Sequence, residues 1–201
     1  RIAAFGSSIA AARDAFAVAG SEANGLGVTI AGRVWLFRMT TAHAKGQNWA
    51  AVLEQRLDPE DSALGLSQAG RESFGSSLAL STRTLLVGAP LDGWGAAPER
   101  GAAILWQRGN SSSRFAPTRR LEHAALGQNA EGSLGGDRFG MSVAVTNEVA
   151  IIGAPFALGQ YGRVTVYDHP SAFPEAAPDF VPPSGAIWTD RDASIEVHAP
   201  H

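Results

Sequence analysis

Phe-Gly occurs three times along the chain, as Phe5-Gly6, Phe74-Gly75 and Phe139-Gly140, sixty-nine and then sixty-five residues apart. A self-similar unit of that size is a supersecondary module that stacks on its neighbours to bury its apolar faces. Each dipeptide leads into a short stretch: Ser7-Ser8-Ile9-Ala10, Ser76-Ser77-Leu78-Ala79-Leu80 and Met141-Ser142-Val143-Ala144-Val145. Apolar side chains on every second residue place one face of such a stretch in a core and predict a half-buried strand.

A second word recurs at a fixed offset. Fourteen residues after the phenylalanine stand Gly88-Ala89-Pro90 and Gly153-Ala154-Pro155, preceded by Leu85-Leu86-Val87 and Val149-Ala150-Ile151-Ile152. In the first unit the same offset reaches Ala19-Gly20-Ser21 after Phe16-Ala17-Val18, so the strand persists while the word has changed. The closing proline suits a strand end, having no amide hydrogen for a ladder. A third strand follows a glycine in each unit, after Gly32, Gly101 and Gly162, and carries an aromatic five residues on: Phe37, Trp106 and Tyr167. A fourth is read from Trp49 to Leu57, from Phe115 to Leu121 and from Ile187 to Val197, the last after a proline-rich insertion over 169–186. Helical spacing is confined to Val52, Leu53, Arg56 and Leu57 within the first of these.

Four short antiparallel strands per unit make a propeller blade or a tandem sandwich. A sandwich domain takes about 100 residues, so a period in the sixties predicts blades in an all-β chain. Blade 1 is expected over about 5–73, blade 2 over 74–138 and blade 3 over 139–201. Three blades leave edge strands and faces uncovered, so further blades of the same polypeptide, or other chains, are expected to complete them. Arg1 in the place of an initiating methionine agrees with a segment of a longer or processed polypeptide.

Phe-Gly, then alternating Ser and Ala, then Val-Gly-Ala-Pro, then a glycine and an aromatic-ended strand together resemble the FG-GAP repeat. The resemblance covers roughly Phe5 to Tyr167; the second unit matches best, and the first departs at Ala19-Gly20-Ser21. It implies a segment of a seven-bladed propeller of the kind in integrin α-subunit heads and in bacterial and algal surface proteins. It also implies a structural role, blade packed on blade, for Phe5, Gly6, Phe74, Gly75, Gly88, Ala89, Pro90, Phe139, Gly140, Gly153, Ala154 and Pro155. Many FG-GAP blades hold calcium in an Asp-x-Asp-x-Asp-Gly-like loop. Here the corresponding loops depart from that pattern: Leu91 to Arg100 has only Asp92 and Glu99, Phe156 to Tyr161 has no carboxylate, and Ser21 to Ala31 has Glu22 and Asn24. Calcium needs six to eight oxygens, so no cofactor or metal is expected in this segment, and calcium is left to other blades. Asp58-Pro59-Glu60-Asp61 and Asp190-Arg191-Asp192 read as solvated acidic turns.

The remaining chemistry is sparse. No Gly-x-Ser-x-Gly elbow is present, and Gly65-Leu66-Ser67-Gln68-Ala69-Gly70 has the wrong spacing for one. Gly25, Gly27, Gly93 and Gly95 lack the helix and third glycine of a dinucleotide loop, and the histidines at 43, 123, 169, 198 and 201 lack metal-ligand spacing. The chain is therefore read as non-catalytic. A net charge of −3 with scattered Lys and Arg argues against nucleic acid, and no apolar run is long enough for direct membrane insertion. The repeat-locked aromatics Trp35, Phe37, Trp106 and Tyr167 are expected between blades, whereas Trp94, aligned with nothing, is the candidate partner contact. Asn110-Ser111-Ser112 fits the N-glycosylation acceptor pattern. The expected function is an extracellular or cell-surface protein-interaction, adhesion or scaffold module. The alternatives are the accessory propeller portion of a secreted, phospholipase-like hydrolase or a carbohydrate-binding module.

Overall fold

The computed structural model describes residues 2–23, 29–40, 50–59, 65–93, 99–109, 114–122, 136–157, 162–168 and 189–190. Strands β1 (Ile2–Ala12), β2 (Ala15–Ala23), β3 (Thr29–Thr40) and β4 (Ala50–Leu57) form the first sheet, in that order. Strands β5 (Ser77–Leu80), β6 (Thr84–Ala89), β7 (Ala102–Gln107) and β8 (Ala116–Leu121) form the second. The third holds β9 (Ser142–Val145), β10 (Val149–Ala154), β11 (Arg163–Asp168) and β12 (Thr189–Asp190). All pairings are antiparallel, each strand beside the one that precedes it in the chain. The chain is thus predominantly β, built as three successive antiparallel meanders. The proline-rich segment 169–186, and all but Thr189–Asp190 of the last expected strand, lie outside the described residues.

The middle sheet shows why the sequence alternates in some strands and not in others. Leu78, Leu80, Leu85, Val87 and Ile104 pack toward the first sheet with Val34, Leu36 and Phe74. Leu86, Ala103, Leu105 and Leu121 pack toward the third sheet with Phe139, Ala150 and Ile152. Covered on both faces, β6 and β7 read as continuous apolar runs, while the outer strand β8 alternates between exposed and half-buried positions. Burying each leucine or isoleucine fully contributes about 1.5–3 kcal/mol, so two such layers on one sheet make it the centre of stability. The first strands of the sheets adjoin in succession, β1 beside β5 and β5 beside β9.

A bulge recurs at the same place in two sheets. The register between β3 and β4 shifts between Leu36 and Phe37, skipping Glu54, and that between β7 and β8 shifts between Leu105 and Trp106, skipping Thr118. An extra residue breaks the two-residue alternation of the outer strand, which accounts for the helix-like spacing of Val52, Leu53, Arg56 and Leu57 in what is a strand. The outer strands are also tied across sheets. Gln55 Nε2 donates to the Phe115 carbonyl at 2.7 Å and Gln55 Oε1 accepts from the Phe115 amide at 2.8 Å. Arg108 lies over the Phe115 ring at 4.6 Å, donates from Nε to the Thr82 carbonyl at 2.9 Å and approaches Glu54 to 4.0 Å. Burial pushes its guanidinium pKa below the ordinary arginine value, against the opposing pull of Glu54.

One helix was not anticipated. Helix α1 (Gln68–Ser73) precedes Phe74, capped by Ser67, whose Oγ accepts from the Gly70 amide at 3.1 Å. The stretch after Ser67 makes a helical turn and a half, with the Ser67 side-chain oxygen satisfying one of its free amides.

Candidate functional site

The conspicuous recurring construction is the junction between sheets. Gly75 and Gly140 have φ values of 88° and 89°, a region that side chains with a Cβ rarely enter. Each turn closes in the same way: the Gly75 amide donates to the Gly88 carbonyl at 2.9 Å, and the Gly140 amide to the Gly153 carbonyl at 3.1 Å. So the first glycine of Gly-Ala-Pro holds the Phe-Gly turn of its own sheet.

The same turn also meets the preceding sheet. The Phe74 carbonyl lies where a Cβ on Gly32 would be, and the Phe139 carbonyl where a Cβ on Gly101 would be. At the second junction Gly101 and Phe139 form a parallel bridge, with the Phe139 amide donating to the Arg100 carbonyl at 2.9 Å. The Gly140 carbonyl sits over Gly88 and accepts from Ser77 Oγ at 2.7 Å. At the first junction Gly75 packs against Ala19 and Val34, the positions that align with Gly88 and Ala103. Phe74 and Phe139 end up 2 % and 0 % exposed. Ala89 and Ala154 are buried in the layers beside them.

Phe5 and Gly6 stand apart. Gly6 keeps a positive φ, 93°, within strand β1, but Phe5 is 54 % exposed and rests edge-on against Trp35, centroids 5.3 Å apart, and against Phe37 at 6.4 Å. Phe16 stacks on Phe37 at 5.1 Å, so an aromatic patch covers the outer face of the first sheet. The outer face of the third sheet carries exposed Ile151 and Val164, with Met141 and Phe156 exposed nearby in the chain. The prolines follow the same division: Pro90, at the middle sheet, is buried, and Pro155, at the terminal one, is exposed. Of the other repeat-locked aromatics, Trp35, Trp106 and Tyr167 are buried and Phe37 is half-buried; Tyr167 also donates to the Glu122 carbonyl at 2.9 Å.

The two carboxylates of the loop after Pro90 are both engaged by arginine. Asp92 is buried; its Oδ1 accepts from the Ser67 amide at 2.8 Å and from Ser67 Oγ at 2.7 Å, and its Oδ2 pairs with Arg120 Nη2 at 2.6 Å. Arg120 and Ser67, the cap of helix α1, thus engage both carboxylate oxygens of Asp92. Glu99 pairs with Arg138 at 3.1 Å, and the Arg138 guanidinium lies 5.1 Å from the Phe156 ring centroid. Asp58 pairs with Arg33 and Arg56. Among the described residues no three His, Asp or Glu side chains converge on a point, and no helix is long and apolar enough to cross a membrane. Trp94, Asn110, Glu60, Asp61, Asp192 and the five histidines lie outside the described residues. Arg120 and Ser67 are the polar anchors that the sequence did not single out; Ser67, followed by helix-forming Gln68 and Ala69, carried a capping signal.

No protein-family model matches the chain, and no curated protein matches it.

Proposed function

We propose that the chain is a three-blade segment of an FG-GAP-type β-propeller serving as a non-catalytic protein-interaction, adhesion or structural scaffold module of a secreted or cell-surface protein. The observation that supports this best is the junction made twice in one way, with the Phe-Gly turn of each sheet set on glycine or alanine of the sheet before it. Such stacking leaves an apolar face at either end of the segment, and faces of that kind mark surfaces for other protein. Further blades or protein partners cover them. The paired arginines on Asp92 and Glu99 agree with a segment held together by its own side chains rather than by calcium.

The test is to shave intact cells of the source with protease, identify released peptides by mass spectrometry, and assay the purified protein on ester, phosphodiester and glycoside substrates. Peptides of this chain in the shaved or secreted fraction, from a protein with no turnover, are the expected result. Confinement to the cytosolic fraction would remove the surface assignment, and turnover that persists after exhaustive purification would remove the non-catalytic one.

A further inference from the structure

The junction between the second and third sheets holds two non-glycine residues in the left-handed region, and they bond to each other. Glu99 and Arg138 both have φ 53°, where a Cβ crowds the following carbonyl. The Arg138 amide donates to the Glu99 carbonyl at 3.1 Å, and its Nε and Nη2 donate to Glu99 Oε2 at 3.3 and 3.1 Å. One residue further on, the Phe139 amide donates to the Arg100 carbonyl, and Gly101 bridges to Phe139. The strained pair therefore stands at the head of the backbone contact that docks the third sheet.

The first junction is braced differently. Ser73, which aligns with Arg138, is the last residue of helix α1; its hydroxyl donates to the Gly70 carbonyl at 3.2 Å and accepts from the Leu91 amide at 3.1 Å. Where no helix leads into the Phe-Gly turn the left-handed conformation returns, since Ala4 before Phe5 has φ 49°. The turn itself calls for that conformation, and at the second junction an ion pair holds it. Among the described residues, the other polar ties between the middle and third sheets fall at two ends of β9. Ser77 Oγ meets the Gly140 carbonyl at the Phe-Gly end. At the far end Asn147, in the turn after β9, bonds to Ser81 and Thr82 at 2.8 and 3.1 Å, and Tyr167, paired with Ala150 near the start of β10, donates to the Glu122 carbonyl.

We infer that the pair of Glu99 and Arg138 is a salt-sensitive clasp: the third sheet opens from the middle one at its Phe-Gly end, and the bonds of Asn147 and Tyr167 are the hinge. The two side chains are 45 % and 37 % exposed, so dissolved ions screen their attraction. Backbone strain works against the pair. Once it lets go, both residues relax out of the left-handed region and withdraw the Arg138 and Phe139 amides from their carbonyls. Such an opening belongs to the low end of local unfolding, below the global transition. It gives the segment one adjustable joint, and it needs only the stacked sheets, not the propeller reading or the surface location proposed above.

The test is amide hydrogen exchange of the purified chain from about 20 mM to about 1 M sodium chloride, where the screening length falls to about 3 Å. The quantity read is the exchange rate of the Arg138 and Phe139 amides relative to Leu105 inside the middle sheet. That ratio should rise about threefold with salt, the scale of an exposed ion pair. Glu99→Ala should raise it as much at low salt and abolish the salt dependence. Glu99→Gly loses the same pair but adopts φ 53° freely, so its ratio should lie about fivefold below that of Glu99→Ala. Asn147→Ala should leave the ratio unchanged, because hinge bonds persist in the open state. Arg138 and Phe139 amides that follow Leu105 at every salt concentration, an alanine variant that exchanges like the native chain, or equal rates with glycine and alanine would each overturn the clasp. A rise in Asn147→Ala as large as that in Glu99→Ala would overturn the hinge.

Discussion

The carbonyl oxygen of Gly140 lies directly over the α-carbon of Gly88, where any side chain would collide with it. Gly153 holds the aligned position in the third sheet, where, among the described residues, an added Cβ would meet Ser142 alone, at close range through its side chain, which is exposed. Gly88→Ala is therefore expected to destabilise the fold by about 1–3 kcal/mol, the usual cost of overpacking, and Gly153→Ala by less than about 1 kcal/mol in dilute chain. Urea unfolding of the two variants checks this. Equal losses would mean that glycine is needed there by the strand itself rather than by the junction.

The three phenylalanines of Phe-Gly should separate in the same way. Phe74 and Phe139 are closed in by two sheets, and truncating either to alanine should cost about 3–5 kcal/mol, as for large side chains removed from a core. Phe5 lies more than half exposed on Trp35 and Phe37, so Phe5→Ala should cost only about 1 kcal/mol, near the worth of an aromatic pair. Thermal melts of the three variants at one low protein concentration give the comparison.

What was legible beforehand, and what was not, follows from the range of each interaction. The strands of the second and third units show in the sequence because side-chain alternation and β-branched residues are local properties. The glycines of the two words are equally visible, but not what they touch: Gly88 meets Gly140 only after two sheets have stacked. The bulge at Glu54 disguised a strand as a helical spacing by inserting one residue into a period of two. Helix α1 is too short for periodicity to register, leaving Ser67 as its one local mark. The pairing of Asp92 with Arg120 has no local mark at all, since an arginine on an outer strand looks like any solvated charge.

That pairing gives a third prediction. Asp92 accepts from Ser67 and from Arg120 with its carboxylate wholly buried, so it joins the capped start of α1 to β8. Removing one partner of a buried ion pair leaves the other uncompensated and costs about 3–5 kcal/mol. Asp92→Ala is expected to lie at the lower end, about 3 kcal/mol, because Arg120 retains Glu122 at 2.5 Å. The double variant Asp92→Ala with Arg120→Met should recover part of that loss in denaturant titrations. A double variant no better than the sum of its parts would show that the pair is not coupled.

Gln55 supplies a fourth. Its amide copies a backbone group, donating to and accepting from Phe115 across the first and second sheets. Gln55→Met keeps the length of the side chain while leaving the Phe115 amide and carbonyl without those partners. An unmet buried polar group costs about 1–3 kcal/mol, so a loss near 2 kcal/mol is expected. A merely apolar role for Gln55 would predict no loss, so stability alone already discriminates. Hydrogen exchange then locates the effect: the Phe115 amide should exchange faster in Gln55→Met, with the Leu86 and Leu105 amides inside the middle sheet unchanged beyond the global shift. Gln55→Glu sharpens the test, since it preserves an acceptor for the amide but sets a carboxylate against the Phe115 carbonyl. It should protect the amide and still destabilise the junction, a combination that a packing effect would not produce.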